Sequence, residues 1–143
     1  MGALPKTIRM PDDIRKPIEE EARLARRDFS SVANEMLLEA IKMRRIPGIV
    51  FADSPSGGRV ARVAGTGLEV FEVIQAYRAM ENSWQRLKEA FHWLSDTQLR
   101  AALAYTEAYP EEIEEQIRRD EQWTPEAIRE RYPFMSPKGE IRP

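Results

Sequence analysis

The side chains that carry out most enzyme chemistry are scarce in this chain. It contains no cysteine, which excludes disulfides, thiolate zinc sites and cysteine nucleophiles. Its single histidine, His92, lies in the segment EAFHWL among core-type residues, with no second histidine or cysteine to complete a metal site or a catalytic triad. We therefore expect His92 to be a partly buried structural residue, and we predict no catalytic residue, no metal and no enzymatic activity.

A glycine-rich stretch, SGGRVARVAGTG at residues 56–67, has the composition of a loop that cradles phosphate. It matches neither the G-x-G-x-x-G fingerprint nor the G-K-[ST] ending of a nucleotide loop, and it follows a predicted hairpin instead of lying in a βαβ unit. Its glycines suit tight turns at the two ends of a strand. We therefore predict no nucleotide or other cofactor.

The chemistry that the sequence does favour is recognition of DNA by a short strand. In LPKTIRMPDD, Ile8 and Met10 alternate with Thr7 and Arg9, as in a half-buried strand, whereas the next thirty-five residues read as helix. A lone strand must find a partner for its backbone, and an identical chain pairing antiparallel is the simplest one. The resulting two-stranded ribbon fits the major groove. The alternative is that the strand pairs with a later hairpin and Arg9 is a surface charge.

Two helices must position this strand. Asp12 and Asp13 favour a helix start, and Pro17 predicts either a kink or a regular part that begins near Lys16. A second helix is predicted from about residue 31 to residue 44, with Ser30 as its N-cap. The apolar positions of both helices recur at spacings of three and four, which is typical of helices with one buried face; they are Ile14, Ile18, Ala22, Val32, Ala33, Met36, Leu37, Ala40 and Ile41.

Residues 4–45 resemble a ribbon-helix-helix DNA-binding domain, through KTIRMPDD, the stripe of the first helix and RRDFSSVANEMLLEAI. The resemblance implies a dimer with swapped strands, in which outward strand side chains read bases and amides at the start of the second helix hold a phosphate. Carried over, the DNA-binding residues are Lys6, Thr7, Arg9, Ser30 and Ser31. The chain departs from the family in its inter-helix turn, where Arg26 and Arg27 replace the usual small residue.

A second module is predicted over residues 46–109. Pro47 and Gly48 mark its start, GIVFAD and GRVARVA read as the strands of a hairpin, and three helices follow from Val70. The helices carry enough large residues for a compact core: Phe71, Ile74, Tyr77, Trp84, Leu87, Phe91, Leu94, Leu99 and Leu103. Ser95 and Gln98 form a capping box, S-x-x-Q, which predicts the start of the third of these helices.

This module resembles the bacterial family known as domain of unknown function 433. The resemblance runs from about Ile49 to Glu112 and is carried by GGR, AGT, VFEVIQAYRAM and HWLSDTQLRAALAYTEAYPEEI. It implies a winged or helix-turn-helix-like fold, and many members are antitoxins encoded beside PIN-like ribonuclease toxins. Gly67 stands where many members have arginine. Arg59 and Arg62 on the second strand are candidate phosphate contacts of a wing, although exposed arginines on a strand are common.

The charge is distributed unevenly along the chain. Lys and Arg number ten against eight Asp and Glu in residues 1–45, six against seven in residues 46–109, and six against nine in residues 110–143, which gives +2, −1 and −3 and sums to the net charge of −2. We expect the last segment to be an acidic helical extension that contacts a basic partner. The candidate toxin-binding residues are Glu111, Glu112, Glu114, Glu115 and Glu121. The alternative is an amphipathic helix that packs on its own module.

Together these patterns predict a mainly α-helical, cytoplasmic homodimer, since no apolar run approaches the length of a membrane span. Residues 1–45 would dimerise and bind operator DNA, residues 46–109 would form a hairpin plus helical module, and residues 110–143 would help engage a PIN-like toxin. The expected function is that of a type II antitoxin and autorepressor. The alternative is a stand-alone ribbon-helix-helix regulator without a toxin partner.

Overall fold

The computed structural model describes residues 2–131 and is mainly helical, as predicted. Across that range it contains seven helices and one antiparallel hairpin. Its contacts divide the chain into a first unit that ends at Arg45 and a second unit that begins at Ile46. In chain order the elements are α1 (Asp12–Ala25), α2 (Phe29–Arg45), β1 (Ile49–Asp53), β2 (Arg59–Val63), α3 (Val70–Ala79), α4 (Trp84–Ala90), α5 (Asp96–Ala108), α6 (Pro110–Glu121) and α7 (Pro125–Arg131).

Helix α1 is regular from Asp12 onward. The alternative prediction, that its regular part begins near Lys16, is therefore wrong. Asp12 and Asp13 occupy its first turn, where carboxylates suit the positive end of the helix dipole. Pro17 lies inside the helix, so its missing N–H removes one backbone hydrogen bond. The helix tolerates this loss because Ile18 and Ala22 bury one face against α2.

The first unit has a small core. Its buried residues are Ile18, Ala22, Val32 and Ala33, and Met10, Phe29 and Met36 pack partly against them. Two of the four buried residues are alanines, which contribute little apolar area. A helix pair with so small a core is marginal by itself, because burial must offset the entropy of ordering both helices.

The predicted N-terminal strand is not present. Residues 2–11 take no strand conformation, and the sheet of the described residues contains β1 and β2 alone. A strand is defined by a neighbour that satisfies its backbone groups, and within the described chain neither the hairpin nor any other segment supplies one to this stretch. The alternative, that the segment pairs with the later hairpin, is therefore wrong as well.

The hairpin prediction is confirmed. β1 and β2 pair antiparallel with Ile49 opposite Val63 and Asp53 opposite Arg59. The amide of Ser54 donates to the carbonyl of Gly58 across the turn (2.8 Å). Gly57 and Gly58 both have positive φ angles, of 102° and 79°, a conformation that residues with a Cβ rarely adopt.

The second unit is built around one core that extends from the hairpin to α6. All nine large residues predicted for this core belong to it or pack against it, and Tyr105, Ile113 and Ile117 join them. The predicted capping box of α5 is present, with Ser95 and Gln98 each accepting from the other's backbone amide. Helix α6 packs against both α3 and α5, so this part of the acidic segment is an integral part of the second unit.

No helix within residues 2–131 has both the length and the apolar composition that crossing a membrane requires.

Candidate nucleic-acid interface

The N-terminal segment carries the residues predicted to contact DNA. Lys6, Thr7 and Arg9 are all exposed, and Met10 is half-buried against the first unit's core. Ile8, expected to face the helices, is 60% exposed. In the described chain, therefore, only the end of the segment is held in place by apolar contacts.

The first unit exposes more large apolar side chains than it buries. Six of them are between 45% and 67% exposed: Ile8, Ile14, Leu24, Leu37, Leu38 and Ile41. Ala33, Leu37 and Ile41 follow one another at intervals of four residues and so lie along one face of α2. That face begins in the buried core at Ala33 and continues to the exposed side chains of Leu37 and Ile41. An apolar face that extends from a core into solvent is typical of a surface that another protein covers.

The turn between α1 and α2 presents a cation. Arg26 adopts the left-handed conformation, with φ of 56°, and its N–H donates to the carbonyl of Arg23 (3.3 Å). Several charges nearby are compensated: Arg27 pairs with Glu35 (2.9 Å), and Arg15 pairs with Asp12 and Glu19.

The basic residues of the N-terminal segment, and Arg26 of the turn, stand apart from these pairs. Lys6, Arg9 and Arg26 take part in none of the ion pairs found among residues 2–131. Their positive charges are therefore directed to solvent or to a binding partner, and a polyanion is the partner that uses such charges best.

The start of α2 differs from the prediction. The helix begins at Phe29, and its cap is Asp28, whose carboxylate accepts from the hydroxyl (2.6 Å) and the amide (3.4 Å) of Ser31. Ser30 is therefore not the N-cap and lies inside the first turn. The hydroxyl of Ser31 holds the pKa of Asp28 below its ordinary value. The D-x-x-S spacing of Asp28 and Ser31 was visible in the sequence and could have indicated this cap.

The capped helix start changes what the two serines can contribute. Because the Ser31 amide already faces a carboxylate, a phosphate that bound there would meet the negative charge of Asp28. Ser30 and Ser31 are both exposed in the first turn, where a helix supplies no carbonyl partner for its amides. Of the predicted phosphate-binding pair, Ser30 is thus the better placed.

The predicted wing residues of the second unit converge on one acidic residue. Arg59 contacts the Asp53 carboxylate (3.2 Å), and Arg62 donates to the Asp53 carbonyl (3.3 Å). Arg59 is exposed, whereas Arg62 is only half-exposed. Both arginines are thereby engaged within the hairpin.

Several predicted toxin-binding glutamates are engaged within the second unit. Tyr105 donates its hydroxyl to Glu112 (2.7 Å), and Arg78 of α3 holds Glu114 through a two-pronged contact. Glu115 pairs with Arg118 and Arg119 on the same helix. Glu111 and Glu121 are exposed.

His92 is exposed, so the prediction that it is partly buried is wrong. It lies in the turn after α4, and its ring makes an edge-to-face contact with Trp93, which is itself 61% exposed. No three acidic, histidine or cysteine side chains among the described residues are grouped so that they could hold a metal ion.

Comparison with protein families, curated proteins and solved structures finds no match to this chain. The two resemblances read from the sequence therefore rest on its own residues.

Proposed function

We propose that this protein is the antitoxin of a type II toxin–antitoxin pair, a cytoplasmic, non-enzymatic protein that binds a PIN-like ribonuclease toxin and represses its own operon as a homodimer. The observation that carries the DNA-binding half of the proposal is the first unit's uncovered apolar face, which lies on the same unit as the exposed basic N-terminal segment.

A second copy would satisfy both of these features at once. If the segments around residues 6–10 of two chains paired antiparallel, each would supply the backbone partner that the other lacks. Leu37 and Ile41 would be covered in the same event. Burying a leucine or isoleucine side chain is worth roughly 1.5–3 kcal/mol, so a few such residues per chain supply the stability that the small core does not.

In such a ribbon the side chains of Thr7 and Arg9 point away from the helices and can enter the major groove. Arginine contacts guanine by two hydrogen bonds, which gives sequence preference, whereas Lys6 and the Ser30 amide are suited to the backbone phosphates. The exposed cations of the first unit favour the same partner.

The toxin-binding half of the proposal rests on the second module's resemblance to an antitoxin-rich family and on the exposed acids of α6. Glu111 and Glu121 remain the best candidates, because Glu112 and Glu114 are held by Tyr105 and Arg78. An acidic surface opposes the basic cleft that a ribonuclease needs for RNA, so charge complementarity would guide the two proteins together.

The homodimer is tested by light scattering after size-exclusion chromatography. We expect the wild-type chain to be a dimer and Leu37→Asp to be a monomer that no longer binds promoter DNA, because the substitution places an unpaired charge in the interface. Asn34→Asp is the matched control, since it adds the same charge at an exposed position of the same helix. A dimeric, DNA-binding Leu37→Asp protein would contradict the proposed interface.

Base reading is tested on the DNA upstream of the protein's own gene. Arg9→Ala should weaken binding by about 1–3 kcal/mol and relax sequence preference while the dimer persists. Arg23→Ala is the control, because Arg23 is an exposed arginine of α1 that pairs with Glu20. Unchanged binding by Arg9→Ala would remove Arg9 from the interface.

The toxin is tested by co-purification with the product of the adjacent gene. A stable complex of a dimer with that product, in which ribonuclease activity is blocked, supports the antitoxin function. A dimer that binds its promoter but no neighbouring product would favour the stand-alone regulator.

A further inference from the structure

Helix α1 has an exposed face that carries none of the predicted DNA-binding or toxin-binding residues. Ile14, Pro17, Glu21 and Leu24 follow one another at intervals of three, four and three residues, which places them along one side of the helix. Asp13 lies beside them, four residues before Pro17. These five residues form the α1 outer face.

All five side chains of the α1 outer face are exposed. Ile14 is 50% exposed, Leu24 is 67% exposed, and the apolar ring of Pro17 lies between them along the helix. The buried residues of the same helix, Ile18 and Ala22, belong to the first unit's core instead. The fold of one chain therefore leaves apolar side chains uncovered from the first turn of α1 to its last.

The α1 outer face is also acidic. The cations of α1 all pair with carboxylates outside this face: Arg15 with Asp12 and Glu19, Lys16 with Asp12, and Arg23 with Glu20. Asp13 and Glu21, by contrast, take part in none of the ion pairs found within the described chain. Two uncompensated negative charges therefore border the exposed apolar side chains.

Pro17 adds a backbone acceptor to the same face. Its nitrogen carries no hydrogen, so the Asp13 carbonyl, four residues earlier, lacks the donor that a regular helix supplies. A lysine or arginine of a partner can donate to this carbonyl as well as to the Asp13 carboxylate.

The charge of the α1 outer face disfavours both DNA and a second copy as its partner. DNA would be repelled by the carboxylates. A second copy that docked through the same face would place Asp13 and Glu21 against identical carboxylates, because a twofold interface pairs the same surface of both chains. The partner that fits is a protein surface with lysine or arginine around an apolar centre, since interfaces combine an apolar core with a complementary charged rim.

We propose that the α1 outer face docks a basic partner protein, with Ile14 and Leu24 against an apolar patch and Asp13 and Glu21 against lysine or arginine side chains. This inference rests on the proposed antitoxin function, in which the partner is the ribonuclease toxin, because a protein that holds RNA needs a basic surface. It adds a contact in the first unit to the glutamates of α6, most of which are engaged within the second unit.

Isothermal titration of the full-length protein with the product of the adjacent gene tests the proposal. Leu24→Ala should weaken the complex about tenfold or more, because it removes an apolar anchor that the partner covers. Glu21→Lys should weaken it by a similar factor, most strongly at low salt, because it sets like charges face to face. Glu19→Lys is the matched control: it makes the same charge change on the same helix away from the α1 outer face, and should bind within about twofold of wild type.

The same variants separate docking from folding and dimerisation. Because Glu21 and Leu24 are exposed, both variants should keep the helix content, the dimer and the promoter binding of the wild-type protein, measured by circular dichroism, light scattering and DNA titration.

Three results would overturn the inference while leaving the antitoxin function in place. They are wild-type affinity for the toxin in Leu24→Ala or in Glu21→Lys, an equal loss of affinity in Glu19→Lys, and loss of the dimer in either test variant, which would assign the face to a second copy. If the wild-type protein itself binds no neighbouring product, the proposed toxin partner fails and this inference fails with it.

Discussion

Replacing Ile113 by alanine tests whether α6 is part of the second unit's core or an appendage to it. Ile113 is fully buried and belongs to the cluster that includes Leu87, Leu99 and Tyr105. The substitution shortens the side chain by three carbon atoms and leaves α6 without its most buried contact.

The expected cost follows from the atoms removed. Three methylene-sized groups at roughly 0.8 kcal/mol each give about 2.4 kcal/mol of lost transfer free energy. The cavity left behind adds to this, and buried isoleucine-to-alanine changes cost about 2–5 kcal/mol in total. We therefore expect the free energy of unfolding of the second unit to fall by about 3 kcal/mol.

Tryptophan fluorescence during urea unfolding measures this loss specifically. Trp84, Trp93 and Trp123 are the three tryptophans of the chain, and all lie in the second unit. Val50→Ala is the control, because Val50 is 38% exposed and should cost less than about 1 kcal/mol. A loss below about 1 kcal/mol for Ile113→Ala would refute the reasoning, since α6 would then contribute nothing to the cooperative core.

Two further substitutions address the turn and the α3–α6 contact. Arg26→Gly should raise the stability of the first unit by up to about 1 kcal/mol, because glycine adopts the positive φ without the Cβ penalty; circular dichroism at 222 nm is the measurement, and Arg26→Ala, which keeps the Cβ, should show no gain. Glu114→Gln should lower the midpoint of thermal unfolding at pH 7, because Arg78 holds the pKa of Glu114 below its ordinary value. A lowered pKa stabilises the fold above the ordinary glutamate pKa of about 4.3 and ceases to do so as the pH falls through the lowered value, so the difference from wild type should vanish in acid; a constant difference at every pH would contradict this.

Local sequence signals predicted most of the secondary structure correctly. Alternating residues around a glycine-bearing turn identified β1 and β2, and the S-x-x-Q spacing at Ser95 located the start of α5. These signals are reliable because they describe hydrogen bonds and side-chain directions within a few residues of one another. The cap of α2 was missed because two candidate capping residues, Asp28 and Ser30, lie two positions apart, and the prediction chose Ser30 although the D-x-x-S spacing also pointed to Asp28.

The predicted N-terminal strand shows a different limit. Alternation of Ile8 and Met10 with polar residues indicates a segment that suits a strand, but pairing requires a second backbone. Within the described chain, that partner is not supplied. The pattern alone therefore states a preference, and the proposed dimer is the arrangement that would satisfy it.

By itself, the sequence determined the order of the helices and the hairpin and their apolar faces, because each depends on local spacing and residue type. Only the tertiary structure decided which polar groups have partners: Glu112 and Glu114 accept hydrogen bonds from Tyr105 and Arg78, whereas the buried side-chain oxygen of Gln116 has none. Such partners are distant along the chain, by 36 residues for Arg78 and Glu114. No local pattern encodes them, because they meet only when α3, α5 and α6 pack around one core.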